Sequence, residues 1–222
     1  MIKRNNITKI AIDSPAAAGA GTVAKAIAEH YKLLKVDTGK AYRLIAFYKL
    51  QNPKKFNYKF IKNKIKNLKI KDLDKKTLLS DKVGTEASII AKNKSIRKLI
   101  HSFQVNCAYN PPKKYKGSIL DGRDITYKII PDANFKFFIT ASLRVRTLRR
   151  YRELRKLGKK TTLLNVRKSI KNRDYRDFNR RISPLKRTKD SILINTSNLT
   201  KKACFLKIKN IIEKEQKING NI

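Results

Sequence analysis

Several residue types are scarce in this chain of 222 residues, and the scarcity of some excludes whole classes of function. The only cysteines, Cys107 and Cys204, lie far apart and form no Cys-x-x-Cys spacing. We therefore expect neither a disulfide framework nor a zinc site, and we expect two buried or neutral thiols in a reducing compartment. The two histidines, His30 and His101, lie in helix-like stretches, where a structural role is expected rather than catalysis.

Long apolar runs are also missing from the sequence. No run approaches the roughly 18 residues that a membrane-spanning helix needs. Near the start of the chain, Asp13 interrupts the apolar residues before the core of a signal peptide is complete. We therefore expect a cytoplasmic protein that does not associate with a membrane.

Acidic residues are few, because 16 Asp and Glu stand against 55 Lys and Arg, a formal net charge of +39. Such a charge is typical of proteins that bind nucleic acid, but a bias of the whole proteome gives the same surplus. The surplus is mostly lysine spread over the whole length, whereas a nucleic-acid footprint is usually clustered. We favour the bias and expect no specific nucleic-acid partner. An anionic substrate would explain placed arginines but not scattered lysines.

Short apolar segments alternate with helical patterns, and 41% of the residues are hydrophobic, enough for a core. The alternation predicts an α/β fold in which a parallel sheet is covered by helices on both faces. The length suits one domain with an inserted segment. The predicted strands are 9–13, 33–36, 118–120, 135–139 and 192–194. The predicted helices are 22–31, 42–50, 87–108, 142–157, 162–176 and 200–214, and 52–81 is predicted as part strand and part loop.

A loop of small residues, 14–22, joins the first predicted strand to the first helix. Small side chains let a phosphate approach the backbone N–H groups at a helix N-terminus, which attract anions. The loop departs from the P-loop pattern, because Ser14 replaces the first glycine and Ala20 replaces the lysine. Gly21 occupies the Ser/Thr position, and Thr22 follows it. A phosphate loop and a plain tight connection both remain open on this stretch alone.

Polar residues follow three predicted strands, at Asp13, at Asp37 and at 121–124. In parallel sheets ligands bind beyond the carboxyl ends of the strands, so together these residues favour a binding site. A second concentration lies at 171–181, where arginines and aspartates recur at three or four residues and share one helix face. Arginine presents a planar set of donors that suits phosphate, although the spacing alone fits a solvated mixed-charge helix.

Four motifs occur in a fixed order along the chain, at 12–22, 37–43, 121–124 followed by 131–133, and 173–180 followed by 183–184. Together they resemble bacterial cytidylate kinases over roughly residues 9–211. The resemblance implies a P-loop NTPase-type parallel five-stranded sheet with helices on both faces. It also implies transfer of the γ-phosphoryl group of ATP to CMP or dCMP, with Mg²⁺.

The resemblance assigns roles by position. For ATP it implies the loop and one arginine of the basic helix: Ser14, Pro15, Ala16, Ala17, Ala18, Gly19, Ala20, Gly21, Thr22 and Arg149. For the acceptor it implies Arg43 and Arg123 at the phosphate, Thr38 and Tyr42 near the nucleotide, Ser88, Arg97 and Asp124 at the cytosine, and Arg173 and Asp177 at the sugar. Arg180 is implied to reach the transferring phosphoryl group.

The same resemblance divides the single domain into functional parts. Residues about 52–106 correspond to the family's monophosphate-binding insertion, and residues about 157–181 correspond to its mobile lid. With Lys40, the residues Arg173 and Arg180 are the expected catalytic residues.

The lysine that normally bridges the terminal phosphates is absent, since Ala20 occupies its position. Lys40 stands where the family usually has a small apolar residue. Both loops are expected to follow neighbouring strands, so the Lys40 stem is expected to reach the phosphates and replace the missing lysine. The alternative is coincidence in a lysine-rich chain. Lys25, one turn into the first helix, is expected to point away.

The sequence therefore predicts a monomeric kinase that phosphorylates CMP and dCMP. One alternative is a catalytically weakened P-loop protein that serves as a basic nucleotide- or RNA-binding module. Another is a kinase of the same fold that acts on UMP or a different small acceptor.

Overall fold

The computed structural model describes residues 7–218, and a five-stranded, all-parallel sheet forms its centre. The strands are β1 (Thr8–Asp13), β2 (Leu33–Asp37), β3 (Gly117–Gly122), β4 (Phe135–Thr140) and β5 (Ile192–Asn195). Their order across the sheet is β2-β3-β1-β4-β5. Every strand is parallel to its neighbours, so all five carboxyl ends lie along one edge.

Helices cover both faces of the sheet. They are α1 (Ala20–Tyr31), α2 (Thr38–Gln51), α3 (Tyr58–Lys66), α4 (Asp81–Ile90), α5 (Lys94–Tyr109), α6 (Leu143–Lys156), α7 (Leu163–Asn179) and α8 (Lys201–Ile218). Successive strand residues point to opposite faces. Thus Ile10 packs with Ile27 of α1 and Ile208 of α8, whereas Ala11 packs with Ala108 of α5. The predicted α/β class and parallel sheet are confirmed.

The insertion differs from the prediction. No strand forms within residues 52–81, where α3 is accompanied by 3₁₀ turns at Pro53–Lys55, Ile70–Asp74 and Lys76–Leu79. Its apolar side chains come from separate short turns and pack on α2 and α5 as one cluster. Because each turn contributes only one or two core residues, the sequence carried no clear period. The prediction of part strand was therefore wrong.

The helix predicted at 87–108 is two helices. The chain turns between α4 and α5, and Asn93 begins α5 by accepting a hydrogen bond from the Ile96 backbone N–H at 3.0 Å. Asparagine is a preferred helix-capping residue, and its amide oxygen satisfies a donor that the first turn would leave unpaired. Apolar residues recur at helical spacing on both sides of this turn, so the sequence pattern did not show that one helix ends and another begins there.

Helices α6 and α7 pack against each other through Leu154, Val166 and Ile170. Ser142 caps α6 by accepting from the Val145 N–H at 3.4 Å, and Gly158 lies just past the end of α6 with a φ of +71°. Both were predicted.

Within residues 7–218, no helix combines the length and hydropathy needed to cross a bilayer. That residues about 157–181 form a mobile lid remains a prediction.

Candidate functional site

A cavity of about 780 Å³ opens at the carboxyl edge of the sheet. Cavities of roughly 300–1,000 Å³ are typical of small-molecule sites. All but one of the predicted site residues line it, and the exception is Ala16. The lining residues among those predicted are Ser14, Pro15, Ala17, Ala18, Gly19, Ala20, Gly21, Thr22, Thr38, Lys40, Tyr42, Arg43, Ser88, Arg97, Arg123, Asp124, Arg149, Arg173, Asp177 and Arg180. The fold therefore gathers side chains that are separated by up to most of the chain.

The loop between β1 and α1 curls around one end of this cavity. Ala17 and Gly19 both adopt positive φ angles, of 60° and 95°. The left-handed conformation is easy for glycine and uncommon for alanine, so Ala17 holds the loop shape at some backbone cost. Helix α1 begins immediately afterwards, and the unpaired N–H groups of its first turn form a natural anion site.

Residues of α6 and α7 hold this loop from outside. Arg146 donates from Nη1 to the Ala16 carbonyl at 3.0 Å and to Asp174 Oδ2 at 2.5 Å. The backbone N–H of Ala16 in turn donates to Asp174 Oδ1 at 3.2 Å. Arg149 donates to Thr196 Oγ1 at 2.8 Å and lies within 3.4 Å of the Ala18 carbonyl oxygen. The loop is thus fixed, with the Arg149 charge beside it.

Ala20 leaves the usual lysine position without a cation, and Lys40 lies elsewhere in the cavity wall. The Lys40 ammonium pairs with Asp74 Oδ1 of the insertion at 3.0 Å. The expectation that the two loops follow neighbouring strands was wrong, because β3 lies between β1 and β2. The two strand ends are therefore two inter-strand spacings apart, roughly 9–10 Å. Lys25 is on the exposed side of α1, 3.7 Å from Glu29 Oε1, and points away as expected.

Three arginines from separate segments converge beside the loop. Arg43 comes from α2, Arg123 follows β3, and Arg173 lies on α7. Burial and then the charges of Arg123 and Arg43 lower the pKa of Arg173 to about 9. Within the described residues the buried Nε of Arg173 has no hydrogen-bond partner. Such a crowd of positive charge with an unused donor is suited to a bound anion.

Aspartates only partly balance these arginines. Asp177 accepts from Arg123 Nε at 2.8 Å and lies 4.0 Å from Arg173 Nε. Burial raises the pKa of Asp177, but the neighbouring arginine charges lower it by more, so the pKa lies below the ordinary value. Arg43 instead donates to the Leu78 carbonyl at 2.6 Å. The cluster therefore keeps a net positive charge that a phosphate would complement.

The far end of the cavity holds a pair of oppositely charged groups. Arg97 on α5 pairs with Asp124, and its guanidinium lies 5.4 Å from the centre of the Tyr42 ring. Ser88 on α4 lines the same end, and its hydroxyl donates to the Thr85 carbonyl at 2.7 Å. Donors and acceptors thus stand side by side, as recognition of a heterocyclic base requires.

Arg180 joins the two ends of the cavity. Its guanidinium nitrogens lie 3.9 Å from Asp124 Oδ1 and 3.7 Å from Asp177 Oδ1, and its Nε donates to the Ser183 carbonyl at 2.6 Å. Burial and the nearby Arg97 lower its pKa. A buried, centrally placed guanidinium of this kind can stabilise negative charge that develops between two ligands.

The carboxylates at the strand ends have different roles. Asp13 is fully buried and accepts from the Ile125 N–H at 2.8 Å and from the Thr126 N–H and hydroxyl at 3.0 and 2.6 Å. It therefore holds the turn after residues 121–124 and does not line the cavity. Asp121 does line it, beside its register partner Asp37 on β2.

Asp121 is buried beside a second carboxylate. Burial and the neighbouring Asp37 raise the pKa of Asp121, and its Oδ1 has no hydrogen-bond partner within the described residues. The nearest cation is the ammonium of Lys35, 3.7 Å away. The other oxygen, Oδ2, faces the small-residue loop, because a Cβ atom at Gly21 would lie 3.5 Å from it. It is therefore the oxygen that a cation beside the loop would meet.

Sequence reasoning missed four residues that shape the site. Lys35 is a lysine within an apolar strand, and Arg146 and Asp174 clamp the loop, as described above. Arg176 donates from Nε to Ser88 Oγ at 2.8 Å, across 88 residues of sequence. Lys35 could have been found from the sequence, because a single lysine within a buried apolar strand is unusual. The contacts of Arg146, Asp174 and Arg176 depend on how α6 and α7 pack, which the sequence pattern does not show.

The remaining sequence predictions concern the thiols and the histidines. Cys107 and Cys204 are both free and buried, and burial raises the pKa of Cys107 to about 11. His30 packs edge-on against Tyr31 and Phe205. The buried thiols agree with the prediction, and a structural role for the two histidines remains a prediction.

The family model described as cytidylate kinase matches residues 10–214. A cytidylate kinase of Bartonella tribocorum is 41% identical over 199 residues, which is 88% of this chain and 90% of that protein. A cytidylate kinase of Clostridium botulinum is 38% identical over 218 residues, covering 93% and 98%. A solved structure of an uncharacterized protein from Eubacterium ventriosum has a TM-score of 0.51 at 19% identity, covering 93% and 98%, and supports the fold alone.

Proposed function

The chain belongs to the cytidylate kinase family, and from that premise we propose how its cavity performs the phosphorylation of CMP by ATP. The observation that carries the assignment to this cavity is the cluster of Arg43, Arg123 and Arg173 beside the small-residue loop. One arginine there has a buried donor without a partner. Phosphoryl transfer depends on alignment and on positive charge around the moving group, and this cluster supplies both.

ATP binds with its phosphates on the loop Ser14–Thr22. The first turn of α1 offers backbone N–H groups, and Arg149 adds a positive charge next to Ala18. Ala16 holds the loop to the α6–α7 pair instead of facing the ligand, because its N–H and carbonyl are already bonded there. Its role is therefore to fix the shape of the loop.

Mg²⁺ fits beside Asp121 and Asp37. Magnesium is usually held by one or two carboxylates together with substrate phosphates and water, and Asp37 and Asp121, which both line the cavity, would supply such carboxylates. No group of three or more potential metal-binding side chains occurs in residues 7–218, so phosphates and water complete the shell. When bound, the ion neutralises part of the phosphate charge.

CMP or dCMP binds with its phosphate at the arginine cluster and its base at the far end of the cavity. Arg43 and Arg123 hold its phosphate, with Thr38 and Tyr42 beside the nucleotide. Arg173 and Asp177 reach the sugar. These assignments place an anion against the excess positive charge and leave the Arg97–Asp124 end for the base.

The base-binding end complements cytosine. Asp124 and Ser88 supply acceptors for the two hydrogens of the exocyclic amino group, and Arg97 donates to the ring nitrogen and carbonyl. Uracil carries a carbonyl oxygen in place of that amino group. This oxygen is an acceptor and would face two further acceptors, Asp124 and Ser88, with no hydrogen between them. A site that loses such a bond discriminates strongly, because buried polar groups are left unpaired.

The transferring phosphoryl group lies between the ends, next to Arg180 and Arg173. Lys40 is the proposed substitute for the missing loop lysine, and it lines the same cavity. Its present partner Asp74 is largely exposed, and an exposed ion pair contributes little. Lys40 can therefore leave Asp74 for a phosphate at small cost, although the strand order makes the reach longer than expected. No general base is needed.

The experiment is an ATP-consumption assay with CMP, dCMP, UMP and other nucleoside monophosphates over a range of Mg²⁺ concentrations. We expect turnover with CMP and dCMP, and a loss of at least about 100-fold in Arg173→Met. Arg167→Met, on the exposed side of the same helix, is the matched control and should retain activity. No CMP-dependent ATP consumption at any Mg²⁺ concentration would refute the proposal.

The alternative of a basic RNA-binding module makes a different prediction. RNA affinity would fall log-linearly and steeply with salt, whereas CMP binding should depend on salt far less. A monomeric state and a cytoplasmic location also remain predictions, the former checked by sedimentation of the purified protein.

A further inference from the structure

A contact between α7 and α4 reaches the base-binding end of the cavity from behind. Arg176 of α7 donates from Nε to Ser88 Oγ of α4 at 2.8 Å. Ser88 is buried and lines the cavity, whereas Arg176 is half-buried and stands outside the lining. Ser88 is therefore the lining residue through which Arg176 can act on a ligand by contact.

The hydrogen-bonding capacity of a hydroxyl fixes what Ser88 can offer. A serine hydroxyl has one hydrogen to donate and two lone pairs to accept with. Its hydrogen goes to the Thr85 carbonyl, 2.7 Å away. A guanidinium only donates, so Arg176 must occupy one of the lone pairs. One lone pair remains, and Ser88 can act toward the cavity only as an acceptor.

We propose that Arg176 is a positioning residue for base selection, which holds Ser88 as an acceptor and so favours cytosine over uracil. The inference rests on the proposed function, because it assumes that the base lies between Ser88 and Asp124. With Arg176 in place, the exocyclic amino group of cytosine is matched. The corresponding carbonyl oxygen of uracil is repelled.

Two hydrogen bonds hold the Ser88 side chain in its present rotamer, one to the Thr85 carbonyl and one from Arg176 Nε. Without Arg176, a change of χ1 that turns the Ser88 hydrogen toward a uracil oxygen breaks one of these bonds instead of two. The selecting contact also joins two helices, so the acceptor is fixed only while α7 packs on α4. Base selection is thereby linked to the position of the expected lid.

The test compares kcat/KM for CMP and UMP in a set of variants. Arg176→Met places a methyl group where Nε stands and should lower the CMP/UMP ratio about tenfold, the scale of one hydrogen bond. Arg176→Gln keeps an N–H donor at the same point without the charge and should keep a ratio close to that of the unaltered enzyme. Ser88→Ala should lower the ratio, and adding Arg176→Met to it should change the ratio no further. Arg167→Met is the control on the same helix.

Several results would overturn the inference. One is an unchanged ratio in Arg176→Met, including equal losses for both substrates, which would indicate a purely structural role. Another is an equal fall in Arg176→Gln and Arg176→Met, which would assign the effect to charge. Should Arg176→Met not fold, an unaltered ratio in Ser88→Ala would overturn it instead. Failure of the proposed function is distinct, because the unaltered enzyme would then show no CMP-dependent ATP consumption.

Discussion

Ala20 and Lys40 both line the cavity, and each has the residue type expected at the other position. Ala20 occupies the position of the loop lysine, and Lys40 occupies a position where a small apolar residue is usual. Ala20 is buried at the start of α1, and the ammonium of Lys40 is held 3.0 Å from Asp74. If Lys40 supplies the missing charge, it must exchange Asp74 for a phosphate when ATP binds. The pairing with Asp74 then describes the ligand-free form of the site.

Lys40→Ala should lower kcat by about 100-fold or more, because one preorganised charge at the phosphoryl group is lost. Ala20→Lys in the same background should restore part of the rate. Steady-state kinetics with CMP and saturating ATP–Mg²⁺ measure both effects. Lys25→Ala serves as control, since that lysine is exposed on α1. Full activity of Lys40→Ala would show that Lys40 has no such role.

Asp13 makes stability depend on pH. Burial raises its pKa from 3.8 to about 6, despite the hydrogen bonds from Ile125 and Thr126. The native state therefore binds the proton more tightly than the unfolded state. Above pH 4 the unfolded chain releases it first, so the Asp13 contribution to the free energy of unfolding falls as pH rises to about 6.

The expected fall is about 2–3 kcal/mol between pH 4 and 7, from roughly two pKa units. Urea unfolding at several pH values measures it. Asp13→Asn cannot titrate, so the variant should lack this component even if it is less stable overall. Parallel pH profiles for the two proteins would contradict the assignment.

At the scale of elements, the pairing of β1 with β3 sets the geometry of the whole site. Gly117 begins β3 opposite Thr8, and a Cβ atom there would lie 2.1 Å from the Thr8 carbonyl oxygen. Only glycine permits the two backbones to approach this closely. The pairing in turn places residues 121–124 beside the phosphate loop.

Gly117→Ala should lower the free energy of unfolding by several kcal/mol, about 3 or more, since backbone atoms must move. Gly158→Ala is the matched control. Its φ of +71° is strained for alanine, but nothing lies within 4 Å of the added atom, so a loss of about 1 kcal/mol is expected. Urea unfolding of both variants makes the comparison. Equal losses in the free energy of unfolding would show that the close approach of Gly117 to Thr8 adds nothing to the cost of the substitution.

The elements differ in how far sequence could predict them. The five strands were predictable because each is a short apolar run bounded by turn residues. Strand order was not, because it depends on which chain segment fills the space between β1 and β2. That order decides the reach of Lys40 toward the phosphates. The insertion was mispredicted because its core residues are dispersed over short turns.

The candidate site divides in the same way. Most of its arginines and aspartates were found because they lie in four motifs that resemble those of cytidylate kinases, whereas Arg97 and Arg149 were assigned from position in the resemblance alone. Their convergence on one cavity agrees with that prediction, whereas their individual roles remain proposals. Arg176 and Lys35 were missed because their significance arises from contacts between elements distant in sequence. Local patterns do not encode such contacts.

For the whole molecule, the dominant feature is a net charge of +39. Among residues 7–218, 12 of the 16 acidic residues lie in ion pairs with lysine or arginine: Glu29, Asp74, Asp81, Glu86, Asp121, Asp124, Asp132, Glu153, Asp174, Asp177, Asp190 and Glu213. Most cations therefore face other cations across the surface. Such self-repulsion opposes the compact state.

Salt should therefore stabilise this protein. Raising NaCl from 50 to 500 mM shortens the screening length from roughly 14 to 4 Å, and repulsion among exposed lysines weakens more than the short buried pairs do. We expect the free energy of unfolding in urea to rise by about 1–2 kcal/mol. KCl at equal ionic strength is the control and should act alike. A fall in stability with salt would mean that attractive surface pairs outweigh the repulsion, and that the scattered lysines are organised against specific acidic partners.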